Sequence, residues 1–170
     1  SVGACSKRGM SENSALVKGV NRAWDAGLVV VVAAGNNGPR TMSITTPGIS
    51  RKVITVGCSD DDREVLVGGN RMVDYSGRGP TAACICKPDL VAPGCSVVSC
   101  SSRADKYTIK SGTSMSTPIV SGAVALLLER FPDMSNKDVK LRLRESSVDI
   151  GLPRNQQGWG LLDVGKMLER

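Results

Sequence analysis

The sequence predicts an α/β fold built on a parallel sheet, and three features carry this prediction. Short apolar segments alternate along the chain with segments of helical periodicity, an order typical of α/β proteins. The most apolar segment, residues 28–34 (LVVVVAA), is rich in β-branched residues, as expected for a strand covered on both faces. The 170 residues, 41% of them hydrophobic, suffice for one domain with a sizeable core, and this core must be aliphatic because aromatic residues make up 3% of the chain.

The elements of the first half follow from apolar spacing and turn signals. Residues 11–27 place apolar side chains at helical spacing, and Gly27 is a natural residue to end that helix. The buried strand at 28–34 follows directly. Further strands or extended segments are expected at 53–57, 64–69, 88–94 and 95–111.

Helices dominate the second half, and we expect them at 114–130, 135–146 and 161–170. Ser135 is the predicted N-cap of the second of these, with Asp138 at its third position. Three or four strands are few for this number of helices, which need a wider sheet to pack on. We therefore expect residues 1–170 to be a piece of one larger domain.

The charge and hydropathy patterns argue against nucleic-acid and membrane partners. The net charge is +6, with basic residues clustered at 137–145, but the stacking aromatics or modules of nucleic-acid-binding domains are missing. We interpret the cluster as a solvated helix face. The apolar runs 28–34 and 122–128 fall far short of the roughly 20 residues that a membrane span needs.

The six cysteines favour a reducing compartment. An even number leaves disulfides open, but the spacing is irregular and the chain can build a core without them. Cys84 and Cys86 form a C-x-C pair, which is poor zinc-site spacing, and the chain has no histidine to complete a site. We therefore expect free thiols and favour a cytoplasmic location, with secretion as the alternative.

Ser114 lies between a glycine turn and a long apolar helix. The first backbone N–H groups of a helix lack internal partners and carry partial positive charge, so an oxyanion formed there is stabilised. Gly112 lets the backbone approach a ligand closely, and Pro118 lies where its missing N–H is tolerated. The pattern fits a nucleophile held at the tip of a buried helix, or, alternatively, a serine that merely caps the helix.

Asn36 directly follows the segment Ala33-Ala34-Gly35 at the end of the predicted strand. A side-chain amide is a neutral donor, which can bind an oxyanion without giving up a proton. Loops at strand ends are also where α/β proteins place their sites. The alternative is that Asn-Asn-Gly serves only as a turn.

Four segments in a fixed order resemble the subtilisin-like serine proteases: 32–38 (VAAGNNG), 75–94, 111–127 (SGTSMSTPIVSGAVALL) and 152–168. The resemblance covers essentially the whole chain and implies a three-layer α/β/α fold, of which residues 1–170 form the C-terminal portion. It implies hydrolysis of polypeptides through an acyl-enzyme. The pattern is nearest to that of intracellular-type bacterial members.

The same resemblance assigns roles to individual residues. Ser114 would be the nucleophile and Asn36 the oxyanion donor. The substrate would bind as an added strand beside residues 1–3 and 33–35, with Thr113 next to the nucleophile. These substrate-binding residues are Ser1, Val2, Gly3, Ala33, Ala34, Gly35 and Thr113. We expect no cofactor and interpret the acidic residues from Asp60 onward as a solvated turn. The alternative is a weak cation site near Gly48, Val53 and Asp60, like the carbonyl-rich site of some family members.

The chain departs from the family in having no histidine, the residue that serves as the base with an orienting aspartate. The resemblance implies that both precede this portion of the domain. The spacing of Lys110, four residues before Ser114, does not predict that its side chain points at Ser114 as a substitute base. We therefore expect the chain alone to be inactive, and to bind the N-terminal part of its domain or to self-associate. A pseudo-protease that acts as a binding or signalling module is the alternative.

Overall fold

The structure is a computed structural model that describes residues 12–102 and 106–169. In these ranges the elements are α1 (Ala15–Asp25), β1 (Val31–Ala33), β2 (Ile54–Cys58), β3 (Val65–Val67), β4 (Asn70–Met72), β5 (Leu90–Ala92), β6 (Val97–Cys100), β7 (Tyr107–Lys110), α2 (Thr113–Arg130), α3 (Asn136–Ser146), α4 (Arg154–Gln157) and α5 (Val164–Leu168).

Three parallel strands form the central sheet, in the order β1-β2-β5. Val31 pairs with Ile54, and Val56 pairs with Leu90. Every residue of these strands is buried, as expected for a parallel sheet covered by other elements. Helix α2 packs against all three strands. The predicted parallel-sheet α/β fold is therefore confirmed.

The predicted strand at 64–69 does not join this sheet. Gly68 and Gly69 both have positive φ angles, 58° and 90°, so the chain reverses there and β3 pairs antiparallel with β4. Two glycines between short apolar segments are typical of a two-residue hairpin turn. The expected extended segments at 95–111 form a second hairpin, β6–β7.

The helix ends follow their capping residues. Ser135 caps α3, and Asp138 returns the hydrogen bond in a capping box, as the sequence predicts. Gly27 has a positive φ just beyond the end of α1. The last helix is shorter than expected because the Asp163 side chain caps it at Val164. The sequence interpretation missed α4, whose four residues are too few for a periodic signal.

Helix α2 is buried on one side and apolar on the other. Val120, Val124 and Leu127 pack into the main core, whereas the side chain of Leu126 is 48% exposed and Gly122 and Ala125 are exposed. In the described ranges, β1 pairs with β2 on one edge and has no strand on the other. Nor do those ranges contain a helix that is long and apolar enough to cross a membrane.

A buried ionic cluster joins α3 to the sheet. The Lys87 ammonium, 1% exposed, donates to Asp89 Oδ2 at 2.5 Å and to the Val53 carbonyl oxygen at 3.0 Å. Lys140 from α3 lies 3.4 Å from Asp89 Oδ1 and also donates to the Val53 carbonyl oxygen. Burial lowers the pKa of Lys87 to about 8. Asp89 therefore forms ion pairs with two lysines. Lys140 was predicted to lie on a solvated helix face, and the structure instead directs its side chain inward to Asp89.

Replacing Asp89 with alanine should lower the free energy of unfolding of the full-length protein by about 3–5 kcal/mol. The substitution leaves the buried Lys87 ammonium and the half-buried Lys140 ammonium without their counter-ion, and it removes the acceptor for the Thr55 N–H. Chemical denaturation measures the loss. The matched control is Asp25→Ala, which breaks an exposed ion pair with Lys52 and should cost about 1 kcal/mol or less. Equal losses for both variants would contradict this interpretation.

Candidate active site

The start of α2 lies against the end of β1, and this contact brings Ser114 and Asn36 to one place. Ser114 is the second residue of α2 and is exposed. The Thr113 N–H, from the residue directly before Ser114, donates to Asn36 Oδ1 at 3.0 Å. Gly112, the residue before the helix, has a φ of 135° that favours glycine. The two residues predicted to act on a substrate are thus joined through Thr113.

The orientation of the Asn36 amide follows from its hydrogen bonds. Its Oδ1 atom accepts both from the Thr113 N–H and from the Thr113 hydroxyl, each at 3.0 Å. With the carbonyl end held by α2, the Nδ2 amino group lies 3.2 Å from the point that a Cβ atom on Gly112 would occupy. A side chain at position 112 would crowd this donor. The amide therefore turns its N–H groups toward the backbone beside Ser114.

Thr113 is fully buried and links the helix to the strand. Its hydroxyl oxygen accepts from the Gly35 N–H at 3.2 Å while its hydroxyl donates to Asn36. The resemblance assigned this residue to substrate binding, and that role stays a prediction. In the structure its side chain lies behind Asn36, where it fixes the position of the amide.

The predicted substrate-binding segment Ala33-Ala34-Gly35 borders the site. The Ala34 carbonyl oxygen accepts from the Thr45 N–H, and the Gly35 carbonyl oxygen accepts from the Gly77 N–H, both at 2.8 Å. A Cβ atom on Gly35 would overlap the Thr45 side chain. These two carbonyl groups are thus engaged inside the chain, and the role of the segment in substrate binding stays a prediction. Ser1, Val2 and Gly3 lie outside the described residues.

Asp60 supports the backbone beneath Gly112. Its Oδ1 atom accepts from the Gly94 N–H at 2.7 Å, from the Cys95 N–H at 3.1 Å and from the Cys58 thiol at 3.1 Å. The Gly94 carbonyl oxygen in turn accepts from the Gly112 N–H at 2.9 Å. A Cβ atom on Gly94 would overlap Ser116 Oγ of α2. Sequence reasoning did not find this supporting role, because it depends on a contact between distant segments.

The residues suggested for a cation have separate partners. The Gly48 carbonyl oxygen accepts from the Thr55 hydroxyl at 2.8 Å, and the Val53 carbonyl oxygen accepts from the ammonium groups of Lys87 and Lys140. Asp60 holds the loop at Gly94 instead. Within residues 12–102 and 106–169, no group of three or more His, Cys, Asp or Glu side chains is arranged to hold a metal ion.

The described cysteines lie outside any disulfide: Cys58, Cys84, Cys86, Cys95 and Cys100. Burial raises the pKa of Cys58 to about 12, so its thiol stays neutral near pH 7. Cys58 also lies 3.2 Å from the Tyr75 hydroxyl in a buried cluster. It is therefore a packing residue beneath the site, whereas Ser114 is the exposed hydroxyl at the helix tip.

Replacing Thr113 with valine should destabilise the full-length protein by about 1–3 kcal/mol, because it leaves the Gly35 N–H without its acceptor and removes one donor to Asn36. The Gly35 amide should also exchange its hydrogen faster, which hydrogen-exchange spectroscopy measures. Thr41→Val, an exposed turn position, is the control and should change stability by less than about 0.5 kcal/mol. An unchanged Gly35 exchange rate in Thr113→Val would argue against the link.

Comparison with known proteins relates the chain to one family. The sequence model of the subtilase family matches residues 1–160. Serine protease AprX of Bacillus subtilis (strain 168) is 42% identical, with 78% of this chain and 33% of the relative covered. Subtilisin DY of Bacillus licheniformis is 35% identical, with 92% and 52% covered. Halolysin of Haloferax mediterranei is 35% identical, with 80% and 23% covered.

A solved structure has the same fold. The prenylagaramide maturation protease PagA superposes with a TM-score of 0.69 at 23% identity, over 89% of this chain and 53% of that chain. At this identity the likeness concerns the fold alone. The chain spans about half the length, or less, of these relatives.

Proposed function

Because this chain belongs to the subtilase family, we propose that residues 1–170 form the C-terminal part of the catalytic domain of a serine endopeptidase. One observation carries the proposal. An exposed serine begins a buried helix, and the same helix end holds an asparagine amide beside it with two hydrogen bonds. This is the arrangement that acyl transfer requires: a nucleophile next to neutral donors aimed at the developing oxyanion.

The proposed reaction follows from these groups. Ser114 Oγ attacks the carbonyl carbon of a peptide bond, and its proton passes to a base. The oxyanion of the tetrahedral intermediate accepts from Asn36 Nδ2 and is stabilised by the N-terminal end of α2. The C–N bond then breaks as the base returns the proton to the leaving amine, which leaves an acyl-enzyme on Ser114. Water then attacks the acyl carbon while the base takes a proton from it. The base returns this proton to Ser114 Oγ as the carboxylic acid product leaves.

The base must come from residues other than these 170, since they contain no histidine. We propose that a histidine and its orienting aspartate lie on the N-terminal part of the same domain. Two features support a contact there: the edge of β1 on which the described ranges place no strand, and the apolar outer side of α2 around Leu126. Self-association through these surfaces is the alternative arrangement.

A pseudo-protease is the second candidate function, and the absence of histidine from this chain is the observation that favours it. It would bind polypeptides without cleaving them. We also propose a cytoplasmic location, which the unpaired cysteines support, because exposed thiols persist in reducing compartments.

In the full-length protein, Ser114→Ala should lower the turnover of a chromogenic peptide by several orders of magnitude, since nucleophile and base act as a unit. Asn36→Ala should lower kcat by roughly 10²–10³, the value known for such a donor in a subtilisin, and leave KM nearly unchanged. Steady-state kinetics give both constants. Turnover that does not depend on Ser114 would remove the peptidase proposal, whereas indifference to Asn36 would remove the oxyanion assignment alone.

The 170-residue chain by itself should give no hydrolysis above that of its Ser114→Ala variant, because a serine hydroxyl without a base is a poor nucleophile near neutral pH. Light scattering at micromolar concentration should detect self-association or precipitation, and addition of the N-terminal part should restore a soluble, active complex. Ser114-dependent hydrolysis by the isolated chain would contradict the proposal. So would a stable monomer that does not bind the N-terminal part.

A further inference from the structure

The β3–β4 hairpin reaches the backbone beside the nucleophile. Val67, at the end of β3, is 6% exposed, and its Cγ1 atom lies 3.5 Å from the point that a Cβ atom on Gly112 would occupy. Asn36 Nδ2 lies 3.2 Å from the same point. Gly112 is thus enclosed by the oxyanion donor and by the tip of the hairpin, two residues before Ser114.

The hairpin is anchored on one face and open on the other. Val65, Val67 and Met72 pack against Cys58 and Tyr75. The Tyr75 hydroxyl donates to the Gly94 carbonyl oxygen, which also accepts from the Gly112 N–H, so the hairpin and the nucleophile turn rest on the same loop. The hairpin is therefore fixed relative to Ser114.

Asn70 is an exposed polar side chain on the anchored face of this tip. It is the cross-strand partner of Val67, so the two side chains leave the hairpin on the same face, with Cβ atoms roughly 4.5–5.5 Å apart. Val67 fills the space against Gly112, whereas Asn70 is exposed. Gly68 and Gly69 between them carry no side chains, and nothing lies within 4 Å of their Cβ positions.

The hairpin tip and the segment Ala33–Gly35 meet the nucleophile turn at different residues. Thr113 joins the helix tip to Gly35 and Asn36, while Val67 lies beside Gly112. A peptide whose acyl half runs past 33–35 must continue past Ser114 with its leaving half. With 33–35 given to the acyl half, the hairpin tip beside Gly112 is the surface left for the leaving half.

We infer that Asn70 contacts the substrate residue that follows the scissile bond and helps to set the preference for that residue. This inference rests on the proposed peptidase function. A neutral amide both donates and accepts hydrogen bonds, so it accommodates positively and negatively charged substrate residues alike at that position. Charging the side chain should convert this tolerance into a preference.

The test compares peptides that differ only in the residue after the scissile bond, Lys or Glu, with the full-length protein as enzyme. In Asn70→Asp the Lys/Glu ratio of kcat/KM should rise about two- to fivefold over the wild-type ratio, as expected for one exposed charge pair, and in Asn70→Lys it should fall by a similar factor. The ratio for peptides varied before the scissile bond should stay constant. An ester substrate with no residue beyond that bond should react at the wild-type rate.

Two variants control for overall charge: Lys137→Gln on α3 matches the change made by Asn70→Asp, and Glu129→Gln on α2 matches that made by Asn70→Lys. Both side chains are exposed, and neither control should alter either ratio.

The outcomes separate this inference from the function on which it rests. If no peptide is cleaved in a Ser114-dependent way, the proposed function fails and the inference fails with it. If peptides are cleaved but the Lys/Glu ratio is the same in all Asn70 variants, or if the controls shift it equally, the role of Asn70 is refuted and the peptidase function stands.

Discussion

The position of one helix end against one strand end determines the candidate site. Helix α2 must present its first turn within hydrogen-bonding distance of the residues that follow β1, since Thr113 has to reach both Gly35 and Asn36. Packing of Val120, Val124 and Leu127 against the sheet sets the position of α2, and the glycine at 112 permits the close approach. The hydroxyl of Ser114 and the amide of Asn36 are thereby oriented by the core rather than by a loop.

A second set of hydrogen bonds supports the backbone at the start of α2. Asp60, Gly94 and Tyr75 hold the backbone on which Gly112 and the β3–β4 hairpin both rest. The cluster of Lys87, Asp89 and Lys140 does the same for the opposite part of the sheet, where it joins α3 to the start of β2. Such supporting groups matter because a displacement of about 1 Å at a catalytic group is enough to reduce rates strongly.

Local signals in the sequence predicted much of this structure, and distant contacts account for what they missed. A buried strand within 28–34, a capped helix at 135–146 and the serine at the start of α2 follow from periodicity and capping chemistry, which depend on neighbouring residues alone. The strand itself is shorter than predicted, Val31–Ala33, and Leu28 before it is exposed. The sequence indicated that Asn36 was important, but the direction of its amide depends on Thr113, 77 positions away. Lys140 was expected in solvent because its neighbours are basic, yet the carbonyl groups of 51–53 and Asp89 draw it inward. The pair Gly68-Gly69 is a typical two-residue turn, which the predicted strand at 64–69 overlooks.

Gly94 and Asn70 differ in how much change each position tolerates. At Gly94 even a methyl group would meet Ser116 of α2, so a substitution there displaces the helix that carries the proposed nucleophile. Asn70 at the tip and Leu66 on the other face of the hairpin, 64% exposed, can vary while Val67 keeps the hairpin in place. Under the proposed function, separate residues would therefore encode the chemistry of the site and its selectivity. Changes at the hairpin tip would then alter the substrate preference of a descendant protein without removing its activity.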